Sequence, residues 1–407
     1  MPPVEKDGLS LTSGCTILNL KRQNQEIDRT GIVPVRTMGF PREAPVYVMA
    51  FRSGNSSNPV GSEQSKGEGL VLFGLPLGRT YDVLAFEDTN RNRRLDHSEQ
   101  KAIVRNVKPR PLAETNLSAG ILALRPPAGD YGAFFEVQVP TTLGAAIPVG
   151  CGEVAKVTDA KFAPKIGSDG LWRPEDALRA GHLGLYFNEP FDPSRTPVVF
   201  VHGIGGSPRD FAKLIPALDK KKFQAWFFVY PSGFRLDKAA SALAELTSLL
   251  MEKHRVGRVH IVAHSMGGLV SRAAILKMNS GEAKFPVDRF VSISTPFGGY
   301  EAAESGIRHL KYPVPSWIDM APDSDFLKAL WSKKLPYPTR HWLLFGYDTR
   351  NVPWLTLNND QVVNLRSSLY PPAQNESVKV FGIAKSHEGI LFNRETYSKI
   401  NEFLKSQ

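Results

Sequence analysis

The stretch Val259-His260-Ile261-Val262-Ala263-His264-Ser265-Met266-Gly267-Gly268 constrains this chain more than any other. Its β-branched start reads as a short strand and the LVSRAAILKM that follows reads as a helix. Only a tight corner separates them, with a serine at its apex. A strained strand-to-helix turn lifts the Ser265 hydroxyl clear of a sheet. It also puts the Met266 amide at a helix N-terminus, aimed where an oxyanion would form. Gly267 and Gly268 are required because a Cβ at either position would collide with the strand beneath. Ala263 stands where the pentapeptide G-x-S-x-G has its first glycine, so the surrounding pattern has to carry the reading.

That pattern follows from residue 197. Val198–Val201 is a continuous apolar run, as for a strand buried on both faces of a parallel sheet. It ends in His202-Gly203-Ile204-Gly205-Gly206-Ser207-Pro208. A helix is expected over PRDFAKLIPAL, then a strand at 225–230 and an amphipathic helix from Asp237 to His254. After the serine corner come strands at 289–294, 341–347 and 378–384 and a helix over Arg394–Leu404. Strands alternating with helices imply a doubly wound, mainly parallel α/β sheet with crossovers on both faces.

FVHGIGGSP, AHSMGGLVSR, STPFGG, NDQVV and SHEGIL, in this order, resemble the α/β-hydrolases of the bacterial lipase/esterase type. The resemblance covers about 197–405, and AHSMGG with its alanine occurs in small bacterial lipases. It implies a serine hydrolase acting on carboxylic esters, with lipid-like acyl esters as the substrate class and no required cofactor. Ser265 is then the nucleophile, and Ile204 and Met266 supply the oxyanion-hole amides. His202, Gly203 and Gly267 support the motif, with His202 bracing its loop. In this fold the working histidine comes last in the chain, which implies His387. The acid lies between Ser265 and His387, where Asp348 and Asp360 both qualify. Asp360 is favoured because Asp-x-Val-Val resembles the lipase pattern. Histidines 97, 182, 254, 260, 264, 309 and 341 read as surface or core residues. Phospholipase, thioesterase, amidase and acyltransferase chemistry would use the same three side chains. A cell-envelope binding protein with a vestigial hydrolase domain is the non-enzymatic alternative.

The expected organisation is a tail over 1–30, a small all-β sandwich over 31–126, and a linker and lead-in over 127–195. The catalytic domain then spans 196–407. Strands are expected at Ala44–Arg52, Gly69–Leu75, Thr80–Glu87, Ala102–Val107 and Ile121–Leu124. The run from Gly74 to Asp96 resembles the transthyretin-like or carboxypeptidase-regulatory-like sandwiches. Pro126, Pro127, Pro140 and Pro148 punctuate the linker, and a short helix is expected over Pro174–Ala180. Within 295–340, Tyr312, Val314, Trp317, Met320, Leu327, Leu330 and Trp331 alternate with charges. They suit a lid or acyl-binding wall, or a helical excursion with its own small core.

Asp88, Asn90, Asn92, Asp96 and Glu99 fall at positions 1, 3, 5, 9 and 12 of a calcium-loop pattern. Arg93 replaces the glycine of that pattern, flanked by Arg91 and Arg94. The bland reading is a polar turn in which acids pair with arginines. Leu11-Thr12-Ser13-Gly14-Cys15 is similar to the end of a bacterial lipoprotein signal, although MPPVEKDGLS lacks the apolar core such a signal needs. An envelope or secreted location with lipid attached at Cys15 therefore stands beside a cytoplasmic one. Lysine and arginine number 50 against 40 acidic residues. The excess forms no basic block, which argues against nucleic-acid binding. It is compatible with contact to an anionic membrane surface and reads first as a solvated basic face. Two cysteines, Cys15 and Cys151, exclude a disulfide framework.

Overall fold

The computed structural model describes residues 14–40, 43–65, 69–111, 122–126, 137–139, 146–147, 149–278, 286–348 and 358–406. Pro127, Pro140 and Pro148 of the expected linker lie outside these residues, as do Leu11, Thr12 and Ser13. The stretch expected as a tail instead forms helix α1 (Gly14–Arg29), with Cys15 in its first turn. Its inward positions are Leu20, Gln23 and Ile27, all buried at helical spacing. One of the three is polar, which weakened the apolar signal. Gln23 Oε1 accepts from the amides of Glu175 and Asp176 at 2.8 and 3.1 Å. That caps a short helix whose own N-cap residue, Arg173, offers no side-chain bond.

Strands β1 (Thr30–Thr37), β2 (Val46–Arg52), β3 (Pro59–Ser65), β4 (Leu70–Pro76), β5 (Tyr81–Glu87) and β6 (Lys101–Val107) come next. Short pieces β7 (Arg110–Pro111), β8 (Leu122–Leu124) and β9 (Ala146–Ile147) follow. They build two sheets, ordered β7-β1-β4-β9 with β8 beside β1, and β3-β2-β5-β6. Every pairing is antiparallel except β1 with β8. Val33, Val35, Val71 and Phe73 of the first sheet share one core with Val46, Val48, Val83 and Ala85 of the second. The sequence pattern does not mark β1 and β3 as strands. Pro34 interrupts the pattern of one, and PVGSEQS is too polar to mark the other.

The large sheet takes β10 (Gly150–Val154), β11 (Gly184–Phe187), β12 (Thr196–Val201), β13 (Phe223–Val229), β14 (Val259–His264), β15 (Val287–Ile293), β16 (Arg340–Gly346) and β17 (Ser377–Ile383). Their order is β10-β11-β13-β12-β14-β15-β16-β17. The strands from β12 onward run parallel, while β11 pairs antiparallel with β13 and carries β10 with it. This is the α/β-hydrolase fold, a mostly parallel mixed sheet. Two of its strands come from the stretch expected as a lead-in. Helices α2 (Pro164–Trp172) and α3 (Pro174–Arg179) lie between those two strands in the chain. The expected helix over 208–218 is two short 3-10 turns, Pro208–Phe211 and Ile215–Ala217. Pro216 cannot donate within a continuous helix.

Helices α4 (Leu236–His254) and α5 (Met266–Met278) bury their apolar faces against one side of the sheet. Ile32, Leu70 and Leu72, from the outer face of the first antiparallel sheet, join that same core. Arg36 of β1 also meets Glu252 of α4 at 2.9 Å. Residues 295–340 contain α6 (Glu301–His309), α7 (Pro315–Met320) and α8 (Asp325–Trp331). Buried Asp319 accepts from the Leu236 amide at 2.6 Å and from Arg235 Nε at 2.9 Å. Arg272 of α5, fully buried, grips Glu376 through two 2.7 Å bonds and donates to the carbonyls of Leu330 and Lys333. Its guanidinium also lies 4.1 Å from the Trp331 ring centroid. Among the described residues, no helix is long and apolar enough to cross a membrane.

Candidate active site

Ser265 sits between β14 and α5 with φ at 53°, a left-handed conformation that costs a non-glycine residue roughly 1–3 kcal/mol. Two bonds hold it there. Its amide donates to Ile293 O of the neighbouring strand at 2.8 Å, and its carbonyl accepts from the Gly268 amide at 2.9 Å. A Cβ on Gly267 would strike the carbonyls of Val201 and His202, and one on Gly268 would strike the Thr295 side chain. Both glycines therefore let α5 start directly under β12 and β15.

The loop after β12 closes over the serine. A Cβ on Gly203 would lie 2.9 Å from Ser265 Cβ, so only glycine permits this approach. The Gly206 amide donates to Gly203 O at 3.2 Å and the Gly205 amide to Ser232 Oγ at 2.9 Å. Among the described residues, the amides of Ile204 and Met266 have no such partner. Two donors without partners beside one serine suit a developing negative oxygen. His202 is 2% exposed; its Nδ1–H donates to Gly203 O at 2.9 Å and its ring stacks on Tyr230 at 4.4 Å. Burial pushes its pKa down to about 4, so it stays neutral and braces the loop from below.

His387 follows β17, and its Nδ1–H donates to Asp360 Oδ2 at 2.7 Å. The carboxylate accepts only, which puts the proton on Nδ1 and leaves Nε2 with its lone pair. Asp360 Oδ1 accepts from the amides of Val362 and Val363 at 3.1 and 2.7 Å. Gln361, at φ 79°, makes the turn that presents them. Burial pushes the Asp360 carboxyl up, but the bond and charge of His387 and the two amides outweigh it. The net shift is downward. Asp348 does not reach His387; its Oδ2 accepts from Gln361 Nε2 at 3.1 Å.

His264, read from sequence as a core or surface residue, has a more specific place. Its Nε2–H donates to the His387 carbonyl at 2.9 Å, and burial, then the charge of His387, depress its pKa to about 3. The His387 amide donates to Asp360 O at 2.7 Å. The histidine is thus fixed through its amide, its carbonyl and its ring. Adjacency to Ser265 was the only signal in the sequence that could have singled out His264.

Ser265, His387, Ile204 and Gly203 line one cavity of about 280 Å³. Val362, Leu391 and Phe392 form its apolar wall; Asp210 and Glu388 are its carboxylates. Burial pushes Asp210 up to about 6, against the Ser207 amide and aided by the charge of Glu388. Residues 295–340 do not line this cavity. Gly298–Ala302 and Pro322–Asp323 instead line an adjoining one of about 310 Å³ that shares Val362. The apolar side chains beside Ser265 in this cavity are Ile204, Val362, Leu391 and Phe392. The insertion is anchored through Asp319 at the start of α4 and through Leu330 and Lys333 on Arg272 of α5.

The calcium-like residues meet in one loop but face its backbone. Asp88 accepts from the amides of Asn92 and Arg93 at 3.0 and 2.9 Å. Asp96 Oδ2 accepts from Asn90 and Asn92 Nδ2, and Glu99 from the amides of Thr89 and Asp96. Among the described residues, no group of three or more His, Cys, Asp and Glu is placed to hold a metal ion. The loop closes around its own amides, with Arg93 at φ 59° where calcium loops have glycine.

A family described as alpha/beta hydrolase fold matches residues 196–326. No curated protein matches the chain by sequence. Among solved structures, the chain is similar to the mature lipase BlEst2 of Bacillus licheniformis. Identity is 18%, with 54% of this chain and 97% of that one covered and a TM-score of 0.43. It is also similar to lipase B of Aspergillus fumigatus at 18% identity, covering 57% of each chain, with a TM-score of 0.42. Phospholipase PlaB of Legionella pneumophila gives 14% identity over 52% of this chain and 60% of its own, with a TM-score of 0.42.

Proposed function

We propose that this chain is a serine hydrolase cleaving carboxylic esters, with lipid-like acyl esters as its substrates. One observation carries the proposal. An imidazole tied to a buried carboxylate at 2.7 Å shares a cavity with a serine held at positive φ. Nothing in the packing requires that conformation of a serine.

In this reading His387 Nε2 takes the Ser265 proton as Oγ attacks the ester carbonyl. The Ile204 and Met266 amides receive the carbonyl oxygen as its charge develops. The imidazolium, held by Asp360, returns the proton to the leaving alkoxide and an acyl-enzyme remains. Water, deprotonated by the same Nε2, then releases the acid and restores Ser265. Each step uses groups of this chain and water. Phospholipase, thioesterase, amidase and acyltransferase activities share these steps and differ in the leaving group or second nucleophile.

The test is hydrolysis of p-nitrophenyl esters of increasing acyl length by wild type and Ser265→Ala, with fluorophosphonate labelling of both. Turnover is expected to fall by at least ~10³-fold in the variant, and the label to disappear with it. Activity that rises with chain length supports lipid-like substrates, and activity confined to short chains removes that part of the reading. A wild-type protein that neither turns over esters nor takes the label refutes the hydrolase proposal and favours the envelope-binding alternative.

A further inference from the structure

Arg52, Arg79 and Lys108 lie far apart in sequence and form no basic run, yet the fold gathers them. Arg52 ends β2, Arg79 follows the β4–β5 turn at Gly78, and Lys108 sits between β6 and β7. Together with Ser53 and Thr80 they line one open cavity of about 580 Å³, and no carboxylate lines it. The Ser53 amide donates to Thr80 O at 3.0 Å, which joins two of the three loops.

Asp82, bonded to Ser53 of the lining, is already committed. Asp82, 3% exposed, accepts from Ser53 Oγ at 2.7 Å, from the Asn106 amide at 2.9 Å and from Arg105 at 3.1 Å. Its charge is balanced by Arg105. Among the described residues, Arg52, Arg79 and Lys108 pair with no carboxylate. Arg52 stands opposite Tyr81 in the β2–β5 ladder and Arg79 lies two residues before it, and both of their charges oppose the rise that burial causes in the Tyr81 phenol pKa. Cations held together without counter-charges attract a multivalent anion. The guanidinium forks and the Thr80 hydroxyl suit tetrahedral phosphate oxygens in particular.

We infer that Arg52, Arg79 and Lys108 form a binding pocket for a phosphate group, presented by a lipid headgroup or a soluble phosphoester. The site belongs to the antiparallel sheets and is independent of the Ser265 chemistry.

The chain carries a net charge of +10, so the test must separate a site from general attraction. The pocket variant is Arg52→Ala/Arg79→Ala/Lys108→Ala. A control, Lys220→Ala/Lys221→Ala/Lys222→Ala, removes the same charge from an exposed run before β13. Thermal unfolding followed by circular dichroism verifies that both variants fold. Binding is measured by co-sedimentation with phosphatidylcholine vesicles with and without phosphatidic acid, and by calorimetric titration with inorganic phosphate. The pocket variant is expected to lose on the order of a hundredfold in affinity, about fivefold per cation, with the control little changed. Binding to phosphatidic acid vesicles identifies a lipid source, and binding to inorganic phosphate alone a soluble one. Equal losses in the two variants, or no binding of wild type to either probe, overturn the inference.

Discussion

The Ser265 corner and the Asp88–Glu99 loop are both compact runs of chemically capable side chains, and they differ in where their hydrogen bonds go. In the loop, the carboxylates of Asp88 and Glu99 take backbone amides of the loop itself. The side-chain amides of Asn90 and Asn92 bond Asp96 and hold its carboxyl below the usual range. Leu95, 1% exposed, plugs the core beneath. At the corner, the Ile204 and Met266 amides are left without a partner among the described residues. Asp360 takes two amides and His387 Nδ1, and His387 gives up its carbonyl to His264. Residue type therefore sets what a cluster is capable of, and the unpaired positions decide what it does.

The largest expected effect breaks the corner alone. Asp360→Asn keeps the shape but no longer accepts from Nδ1–H in the same way, so the wrong imidazole tautomer forms. Ester turnover is expected to fall about 10⁴-fold with little change in KM. Stability should respond with a definite sign. The folded-state pKa of Asp360 is lowered, so its contribution is present above the unfolded value and is lost as pH falls through the folded one. Thermal melts of the variant should be flatter than wild type across the acid range. A variant that retains turnover removes Asp360 from the mechanism.

Breaking the loop should do the reverse. Asp88→Ala removes the acceptor of the half-buried Arg93 amide and one of two acceptors of the Asn92 amide, which keeps Asn90 Oδ1, at a cost of about 1 kcal/mol. The expected result is a lower unfolding midpoint in urea with kcat unchanged at temperatures where the variant is folded. A large loss of kcat in the folded variant would mean that the two regions are coupled.

What was legible in the sequence divides along the same line. The corner announced itself because strand, serine, glycines and helix are consecutive, and β-branched and small residues mark each junction. Asp360 and His387 lie far from Ser265 in the chain, and only a resemblance singled them out. Helix α1 went unread because Gln23 occupies one of its three inward positions. The helix over 208–218 was overread because Pro216 sits inside an otherwise good pattern. Nothing local marks Arg272 as buried, yet it is fully buried, anchors 295–340 through Leu330 and Lys333 and pairs with Glu376. Such partners come from crossovers between distant segments, which local periodicity does not encode.

His264 sharpens the comparison at a finer scale. His264→Phe keeps a ring of similar size beside His387 but removes the donor to its carbonyl. Losing one of the three ties on His387 is expected to lower kcat about tenfold with KM within about twofold. His264→Gln, which can still donate, should recover part of the loss. If both variants match wild type, the amide and ring bonds of His387 suffice and His264 is packing.

The smallest expected effect concerns the loop and calcium. A site that bound calcium at one hundred times its dissociation constant would stabilise the folded state by about 2.7 kcal/mol. A chain of this size would then melt several degrees higher. The loop's carboxylates would first have to release the amides of Thr89, Asn92, Arg93 and Asp96, of which only Asn92 keeps a second acceptor, Asn90 Oδ1. Arg91, Arg93 and Arg94 would oppose the cation as well. Melting in calcium and in EDTA is therefore expected to agree within about 1 °C. A calcium-dependent rise of several degrees, lost in Glu99→Gln, would show that the ion outcompetes those bonds. The loop would then differ from the Ser265 corner in which ligand it awaits, and its internal bonds would be those of the empty state.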